Sequence, residues 1–168
     1  MTKKIFNSIF TVAFVVLLAS IGIATSFLYD YFNDSQINQL KAELSLAADA
    51  VNEVGTEYFE NLDSSVFRFT IVDANGTVLY DTQINTAEME NHADREEIIE
   101  AFETGVGSSS RTSETLTKKT YYESVLLENG NVLRVSVSQL TIGALVFGMI
   151  FTVAAFFIIV LLASILLS

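Results

Sequence analysis

Two long uncharged runs constrain this chain more than any other feature of its sequence. No Asp, Glu, Lys or Arg occurs in Ile5–Tyr29 or in Val135–Ser168, whereas the sequence between these runs is rich in charge. A membrane-spanning helix needs about 20 predominantly apolar residues, and both runs are long enough. We therefore predict transmembrane helices at residues 5–29 and 141–166, joined by an extracytoplasmic region of residues 30–140.

The basic residues near the amino end set the predicted orientation. Lys3 and Lys4 precede the first run, and positively charged flanks of a span stay on the cytoplasmic side. We therefore predict a multi-pass protein of the plasma membrane, with residues 1–4 in the cytoplasm. A cleaved signal peptide is the competing interpretation, because Gly22-Ile23-Ala24 resembles a small-x-small cleavage site. The apolar region before that site is longer than the usual signal core of about 7–15 residues.

Charge and composition exclude several classes of partner and site. The region between the two runs holds all 20 acidic residues but 7 of the 9 lysines and arginines, so its charge is −13 and nucleic acid is excluded as a partner. The chain has no cysteine and one histidine, and its carboxylates follow no ordered ligand spacing, so we predict no metal site. It has no phosphate-cradling glycine motif and no nucleophile elbow. We predict no cofactor and no catalytic residue within these 168 residues, and membership of a larger enzyme stays open.

An apolar stripe predicts a long helix at the start of the extracytoplasmic region. Apolar residues recur every seven positions, with a second set three residues later. They are Ile37, Leu44, Val51 and Tyr58 and, in the second set, Leu40, Ala47 and Val54. No Gly or Pro lies between the first run and this stripe, which favours a helix that continues from the first span. Two interpretations stay open: the stripe packs on the domain's own sheet, or it pairs with the same helix of a second chain in a homodimer.

Period-two alternation predicts five strands after the helix. In VFRFTIVD, Phe67, Phe69 and Ile71 point to one side and Arg68 to the other. The other predicted strands are VLYD, SSSRTSETL, TYYESVLL and VLRVSVS, and an Asn-Gly pair predicts a hairpin turn after the first and fourth strands. The predicted order is long helix, two strands, short helix, three strands. This order indicates an α+β fold in which one antiparallel sheet packs against a helix.

The connector MENHADREEIIEAF contains the only histidine of the chain, His92. Asp94, followed three residues later by Glu97, is typical of a capping box, so we predict a short helix that begins there. Gly105 and Gly107 are predicted to end it. We interpret the connector as scaffold rather than as an active site, with His92 as a proton-sensitive group near the sheet edge.

Polar and aromatic residues on or beside the predicted strands form the candidate ligand-binding set. The set is Arg68, Tyr80, Arg111, Ser113 and Tyr121, with Thr115 beside it. Arg68 and Arg111 are rare cations in an acidic domain, and arginine can bind an anion through two parallel hydrogen bonds. The alternative interpretation is an internal ion pair for each arginine, with Asp81 or with a carboxylate of a helix.

Several segments together resemble one known family. FTIVDANGTVLYDT, MENHADREEIIEAFETGVGSSSRTSETL, YY and NGNVLRVSVS are similar, in order and spacing, to the extracytoplasmic sensor region of PhoR-like (phosphate-regulon-type) membrane sensor histidine kinases of Gram-positive bacteria. The resemblance implies a PAS-like domain of the Cache type and a homodimer. It also implies a kinase part beyond Ser168 that binds ATP and acts on a response regulator. His92 does not match the family's phosphoacceptor, and Glu96 stands where the family often has a proline that pre-sets the helix.

We therefore expect the membrane-anchored sensor domain of a two-component histidine kinase, which passes an unidentified small-molecule or protein signal across the lipid bilayer. Because the sequence stops within an apolar run, we expect a fragment or a truncated product that ends before the catalytic region. The alternatives are the sensor part of a chemoreceptor or cyclase, and a stand-alone membrane-anchored binding module. The coding sequence downstream would separate them.

Overall fold

The computed structural model describes residues 2–62, 66–113 and 117–141, and the single positions 144, 147, 148 and 155. The predicted second transmembrane helix, residues 141–166, lies almost entirely outside the described residues, and so does Thr115. The chain divides into two compact units, one of Met1–Ser35 with Leu145–Ser168 and the other of Gln36–Ala144.

Helix α1 is one α-helix from Thr2 to Val54. In the first unit its apolar side chains are exposed, for example those of Val12, Ile23 and Phe27. The described residues contain one helix that is long and apolar enough to cross a membrane, judged by length and composition alone. The predicted helical stretch after Tyr29 is therefore present as a continuation of α1.

In the second unit, α1 packs on one face of a β-sheet. Leu40, Leu44, Ala47 and Val51 of the predicted stripe are buried in the core formed there. Packing on the domain's own sheet, one of the two interpretations of the stripe, is therefore confirmed.

The end of the stripe differs from the prediction. The α-helix stops at Val54, whose side chain is exposed, and a 3₁₀ helix covers Gly55–Asn61. Gly55 has φ of 70°, a left-handed conformation that ends an α-helix. Tyr58 is therefore not on the α-helix, although it still packs against the core.

In the described ranges, five antiparallel strands form one sheet in the order β2-β1-β5-β4-β3. The strands are β1 Arg68–Val72, β2 Val78–Asp81, β3 Val106–Thr112, β4 Lys118–Leu126 and β5 Val132–Leu140. Central strand β5 pairs with both β1 and β4, and so joins the β1–β2 hairpin to the β3–β4 hairpin. The predicted α+β fold, with a long helix and an antiparallel sheet, is confirmed.

Both predicted hairpin turns are present. After β1, the Asp73 N–H donates to the Thr77 carbonyl at 2.9 Å, and the Gly76 N–H donates to the Asp73 carbonyl at 2.9 Å. The β4–β5 turn has the same pattern. The glycines at the two turns have φ of 81° and 83°, the left-handed conformation that a three-residue hairpin loop requires.

Helix α2, Glu96–Thr104, covers part of the other face of the sheet. Its Ile98 and Ala101 pack against Val132 of β5, whose neighbour Leu133 points into the core beneath α1. Because strand side chains alternate between faces, the two helices lie on opposite sides of the sheet. Gly105, at φ of 90°, ends α2 as predicted.

The start of α2 differs from the prediction. Arg95, not Asp94, occupies the N-cap position, and the Arg95 side chain makes no capping hydrogen bond. Glu97 does not turn back to cap, because its buried carboxylate binds two guanidinium groups inside the domain. Gly107, the second predicted helix stop, lies in β3 instead. A Cβ added there would overlap the carbonyl oxygen of Glu97, so α2 packs directly on the strand backbone.

Candidate functional site

A cavity of about 560 Å³ opens on the sheet face that carries α2. Its walls come from β1, β3, β4, β5 and the connector before α2. Strand alternation selects the lining side chains. On β5, Arg134 and Ser136 line the cavity, whereas Leu133 and Val135 pack beneath α1.

All four arginines of the chain line this cavity: Arg68, Arg95, Arg111 and Arg134. They come from β1, the residue before α2, β3 and β5. In a chain whose net charge is −11, the few guanidinium groups are therefore concentrated at one place.

Arg68 is held by Asp81 of β2. Its Nε donates to the two carboxylate oxygens at 3.0 and 2.9 Å. The fully buried Asp81 side chain also accepts from Thr70 Oγ1 at 2.8 Å and from the N–H groups of Gln83 and Ile84 at 2.9 Å. The internal ion pair, which the sequence left as the alternative for Arg68, is therefore present, and Arg68 still lines the cavity.

Glu97 of α2 binds two of the other arginines. Its Oε2 accepts from Arg111 Nη2 at 2.5 Å and from Ser109 Oγ at 2.6 Å, and its Oε1 accepts from Arg134 Nη1 at 3.2 Å. Burial acts to raise the pKa of this carboxyl. The hydrogen bond from Ser109 and the positive charge and hydrogen bond of Arg111 outweigh burial, and the pKa lies below its ordinary value of 4.5. Glu97 is therefore ionised at neutral pH.

Arg134 connects the Glu97 carboxylate to the Arg68–Asp81 ion pair. Its Nη2 donates to Thr70 Oγ1 at 3.2 Å, and that hydroxyl donates in turn to Asp81. Burial lowers the pKa of the Arg134 guanidinium, and the positive charge of Arg68 acts in the same direction. Arg134 Nε has no hydrogen-bond partner among the described residues, although only 4% of the side chain is exposed.

Tyr122 of β4 lies between two of the guanidinium groups. The Cζ atoms of Arg111 and Arg134 are 4.4 and 5.2 Å from the centre of its ring. Strands β3 and β5, which carry these two arginines, flank β4 on either side. The negative face of an aromatic ring attracts cations at such distances, so Tyr122 holds the two arginines in place.

His92 is a buried member of the cavity wall. Its backbone N–H donates to the Gly76 carbonyl at 2.7 Å, and its ring Nδ1 lies 2.7 Å from the Glu90 carbonyl oxygen. Burial lowers the pKa of His92 from its ordinary value of 6.5, and the charges of Arg134 and Arg95 act in the same direction. The imidazole is therefore neutral at neutral pH.

The structure brings together only part of the predicted candidate set. Arg68 and Arg111 line the cavity. Tyr80 and Tyr121 lie on the other face, in or against the core beneath α1, because the register of β4 turns Tyr122 rather than Tyr121 toward the cavity. Ser113 follows the end of β3, where its N–H donates to the Lys118 carbonyl at 2.8 Å, and it does not line the cavity.

Sequence reasoning missed Arg95, Arg134, Glu97 and Tyr122. A signal was available for Arg134, because it alternates with the apolar residues of VLRVSVS and so had to face away from the core. No comparable signal existed for Glu97, since a glutamate in the first turn of a helix is also typical of capping.

A second concavity of about 470 Å³ lies between α1 and the β3–β4 hairpin. Lys41 Nζ lies 4.0 Å from Glu123 Oε1 there, and burial raises the pKa of Glu123. Within the described ranges, no three His, Cys, Asp or Glu side chains are grouped to hold a metal ion. The arginine-lined cavity is therefore the stronger candidate site.

Residues 37–139, well over half of the chain, match the family model described as Single Cache-like. Comparison with curated proteins finds no match.

Proposed function

This chain belongs to the single Cache-like family, whose domains are extracellular sensor modules, and we propose that it is the membrane-anchored sensor part of a two-component histidine kinase. In this proposal residues 1–4 are cytoplasmic, residues 5–29 and 141–166 span the membrane, and residues 30–140 form the sensor domain outside. Signal transduction is the role that the Cache domain itself supports.

Membrane anchoring is supported by the first uncharged run. Residues 5–29 carry no charge, Lys3 and Lys4 precede them, and α1 exposes apolar side chains along this stretch. Apolar side chains on all sides of a helix are typical of a membrane span. The predicted second span follows from the uncharged sequence after Arg134.

The observation that carries the proposal is the position of β5. This strand supplies Arg134, Ser136 and Ser138 to the cavity and ends at Leu140, just before the predicted second span. A ligand that shifts β5 would therefore act on the segment that leads directly into the membrane. Small shifts of packed elements are a known means of transmitting signals.

The histidine kinase output rests on the resemblance to PhoR-like kinases. ATP and a response regulator would be bound by a kinase part beyond residue 168. The homodimer is part of the same proposal, and Leu46 and Val54, which α1 leaves exposed, are apolar positions that a second α1 would cover.

A chimera tests this function. We would join the phosphoacceptor and ATP-binding parts of a characterised histidine kinase after Ser168 and measure autophosphorylation in nanodiscs. The substitution Arg134→Gln removes a guanidinium of β5 from the cavity and should change the rate by about fivefold or more, the lower end of ordinary coupling between sites. Arg68→Gln, at a more exposed arginine, provides a second variant if Arg134→Gln fails to fold.

Glu103→Gln is the matched control, because Glu103 is exposed on α2 and does not line the cavity. Its chimera should keep the rate of the unmodified chimera. Equal rates for all four proteins would contradict a sensor role for the cavity. Autophosphorylation of the unfused chain by ATP would contradict its assignment as the sensor part.

A further inference from the structure

The cavity contains more positive than negative charge. Four guanidinium groups line it, and no Asp or Glu is among the described lining residues. Two buried carboxylates, those of Asp81 and Glu97, form ion pairs with three of the arginines. Among the described residues, the carboxylates paired with Arg95 are those of Asp94 and Glu90, at 3.6 and 4.0 Å, and their side chains are 80% and 91% exposed. Exposed pairs of this kind contribute little, so about two positive charges remain uncompensated.

Two buried donors in the cavity wall have no acceptor. Arg134 Nε and Arg95 Nε make no hydrogen bond within the described part of the chain. The 3.6 Å from Arg95 Nε to Asp94 Oδ1 is too long for one. An unsatisfied buried donor is destabilising, more so when it is charged. The described residues therefore leave donor capacity unused at both arginines.

The partners of the arginines orient the remaining N–H groups. Within the described part of the chain, Asp81 accepts from Nε of Arg68, and Nη2 of Arg68 lies 3.8 Å from the weak acceptor Met89 Sδ. Glu97 holds Arg111 through Nη2, with Tyr122 against its guanidinium plane. A guanidinium carries five N–H donors in a fixed plane. Arg68, Arg111 and Arg134 are thus each fixed by some of their donors, and other donors remain to bind a ligand.

We infer that this cavity binds a small molecule that carries two negative charges on oxygen, as two carboxylates or as one phosphate monoester, between the guanidinium groups of Arg68, Arg95, Arg111 and Arg134. The inference rests on the proposed sensor function and names its ligand class. Two negative charges match the surplus of two positive charges. The volume of about 560 Å³ falls within the range of small-molecule sites and exceeds what a single inorganic ion fills.

Thermal unfolding of the full chain in detergent micelles, at constant ionic strength, tests the ligand class. Glutarate supplies two carboxylates, and pentanediol is its neutral analogue. Glycerol phosphate supplies a phosphate dianion, and glycerol is its neutral analogue. At least one dianion should raise the unfolding midpoint in a saturable way, whereas the neutral analogues should not. The dianion with the larger effect distinguishes carboxylate from phosphate recognition.

Arg95→Gln tests the site. The Arg95 side chain is 32% exposed, and its partners among the described residues are exposed carboxylates. The variant should therefore fold. Its affinity for the active dianion should fall by about tenfold, as expected for a charge-assisted hydrogen bond in a cavity. Lys41→Gln removes the same charge from the opposite face of the sheet, at a side chain 58% exposed, and should keep the affinity of the unmodified chain.

Failure of both dianions to raise the midpoint, or an equal loss of affinity in the two variants, would overturn the inference. The sensor function fails separately. If the dianions have no effect but the chimera responds to Arg134→Gln, the anion site is wrong and the sensor role stands. If a dianion binds but no cavity substitution changes the chimera, the anion site stands and the sensor role is wrong.

Discussion

Glu97 and Arg134, which are 37 residues apart in the sequence, form an ion pair in which Nη1 lies 3.2 Å from Oε1 and both side chains are almost fully buried. This pair joins α2 to the central strand β5 at the wall of the arginine-lined cavity. Because Glu97 also binds Arg111 of β3, one carboxylate holds together three elements of the domain.

Glu97→Gln should destabilise the domain strongly. The amide keeps the shape of the carboxylate but leaves the buried Arg134 charge unpaired, and breaking a buried ion pair on one side costs about 3–5 kcal/mol. The free energy of unfolding, from urea denaturation of the full chain in micelles followed by near-ultraviolet circular dichroism, measures the effect. Glu103→Gln, an exposed substitution of the same type on α2, should change it by less than about 0.5 kcal/mol. Similar values for the two variants would show that the ion pair is not structurally important.

Gly107→Ala should destabilise the contact between α2 and β3. The added Cβ would overlap the Glu97 carbonyl oxygen, and Ser124 Oγ donates to that oxygen and to the Gly107 carbonyl. Overpacking of this kind costs about 1–3 kcal/mol. Ser110→Ala, at an exposed position of the same strand, is the control in the same urea titration. A Gly107→Ala protein as stable as the control would mean that α2 does not pack directly on the strand.

His92 should make the domain less stable in mild acid. Burial lowers the pKa of His92 in the folded state, so the unfolded chain takes up a proton at a higher pH than the folded chain does. Stability is therefore lost as pH falls below the ordinary histidine value of 6.5 and through the lower pKa of the folded state. Arg134, Arg95 and Glu97 are the charged groups that act on the ring.

The check compares the free energy of unfolding at about pH 8 and about pH 5.5, on either side of an ordinary histidine titration. The unmodified chain should lose more stability between these values than His92→Gln does, and the carboxylates common to both proteins cancel in the comparison. An equal loss in the two proteins would show that His92 does not titrate differently on folding.

The elements of the fold were predictable because they depend on local patterns. Asn75-Gly76 identified the first hairpin turn, and with it VLYD as the returning strand β2, with its observed bounds. The apolar stripe identified the face of α1 that packs on the sheet, although Gly55 ends the helix before Tyr58. In each case the residues that decide the structure are close together in the sequence.

The cavity was only partly predictable because it depends on register and on long-range pairs. A shift of one residue in β4 exchanges Tyr121 for Tyr122 on the cavity face, and composition cannot distinguish these two neighbours. The role of Glu97 depends on Arg111 and Arg134, which reach it only after β3 and β5 have paired with β4. The sequence allowed ion pairs for Arg68 and Arg111. That the same arginines also line a cavity depends on the arrangement of all the strands, which local patterns do not specify.

The location of the domain outside the membrane is the central claim, and labelling of single cysteines tests it most directly. The chain has no cysteine of its own, so Ser110→Cys, on the exposed side of β3, and Thr2→Cys, at the amino end, each carry one thiol. A membrane-impermeant maleimide should label Ser110→Cys in intact cells and Thr2→Cys only after the membrane is permeabilised. Labelling of Thr2→Cys in intact cells, with Ser110→Cys protected until permeabilisation, would contradict an extracytoplasmic sensor.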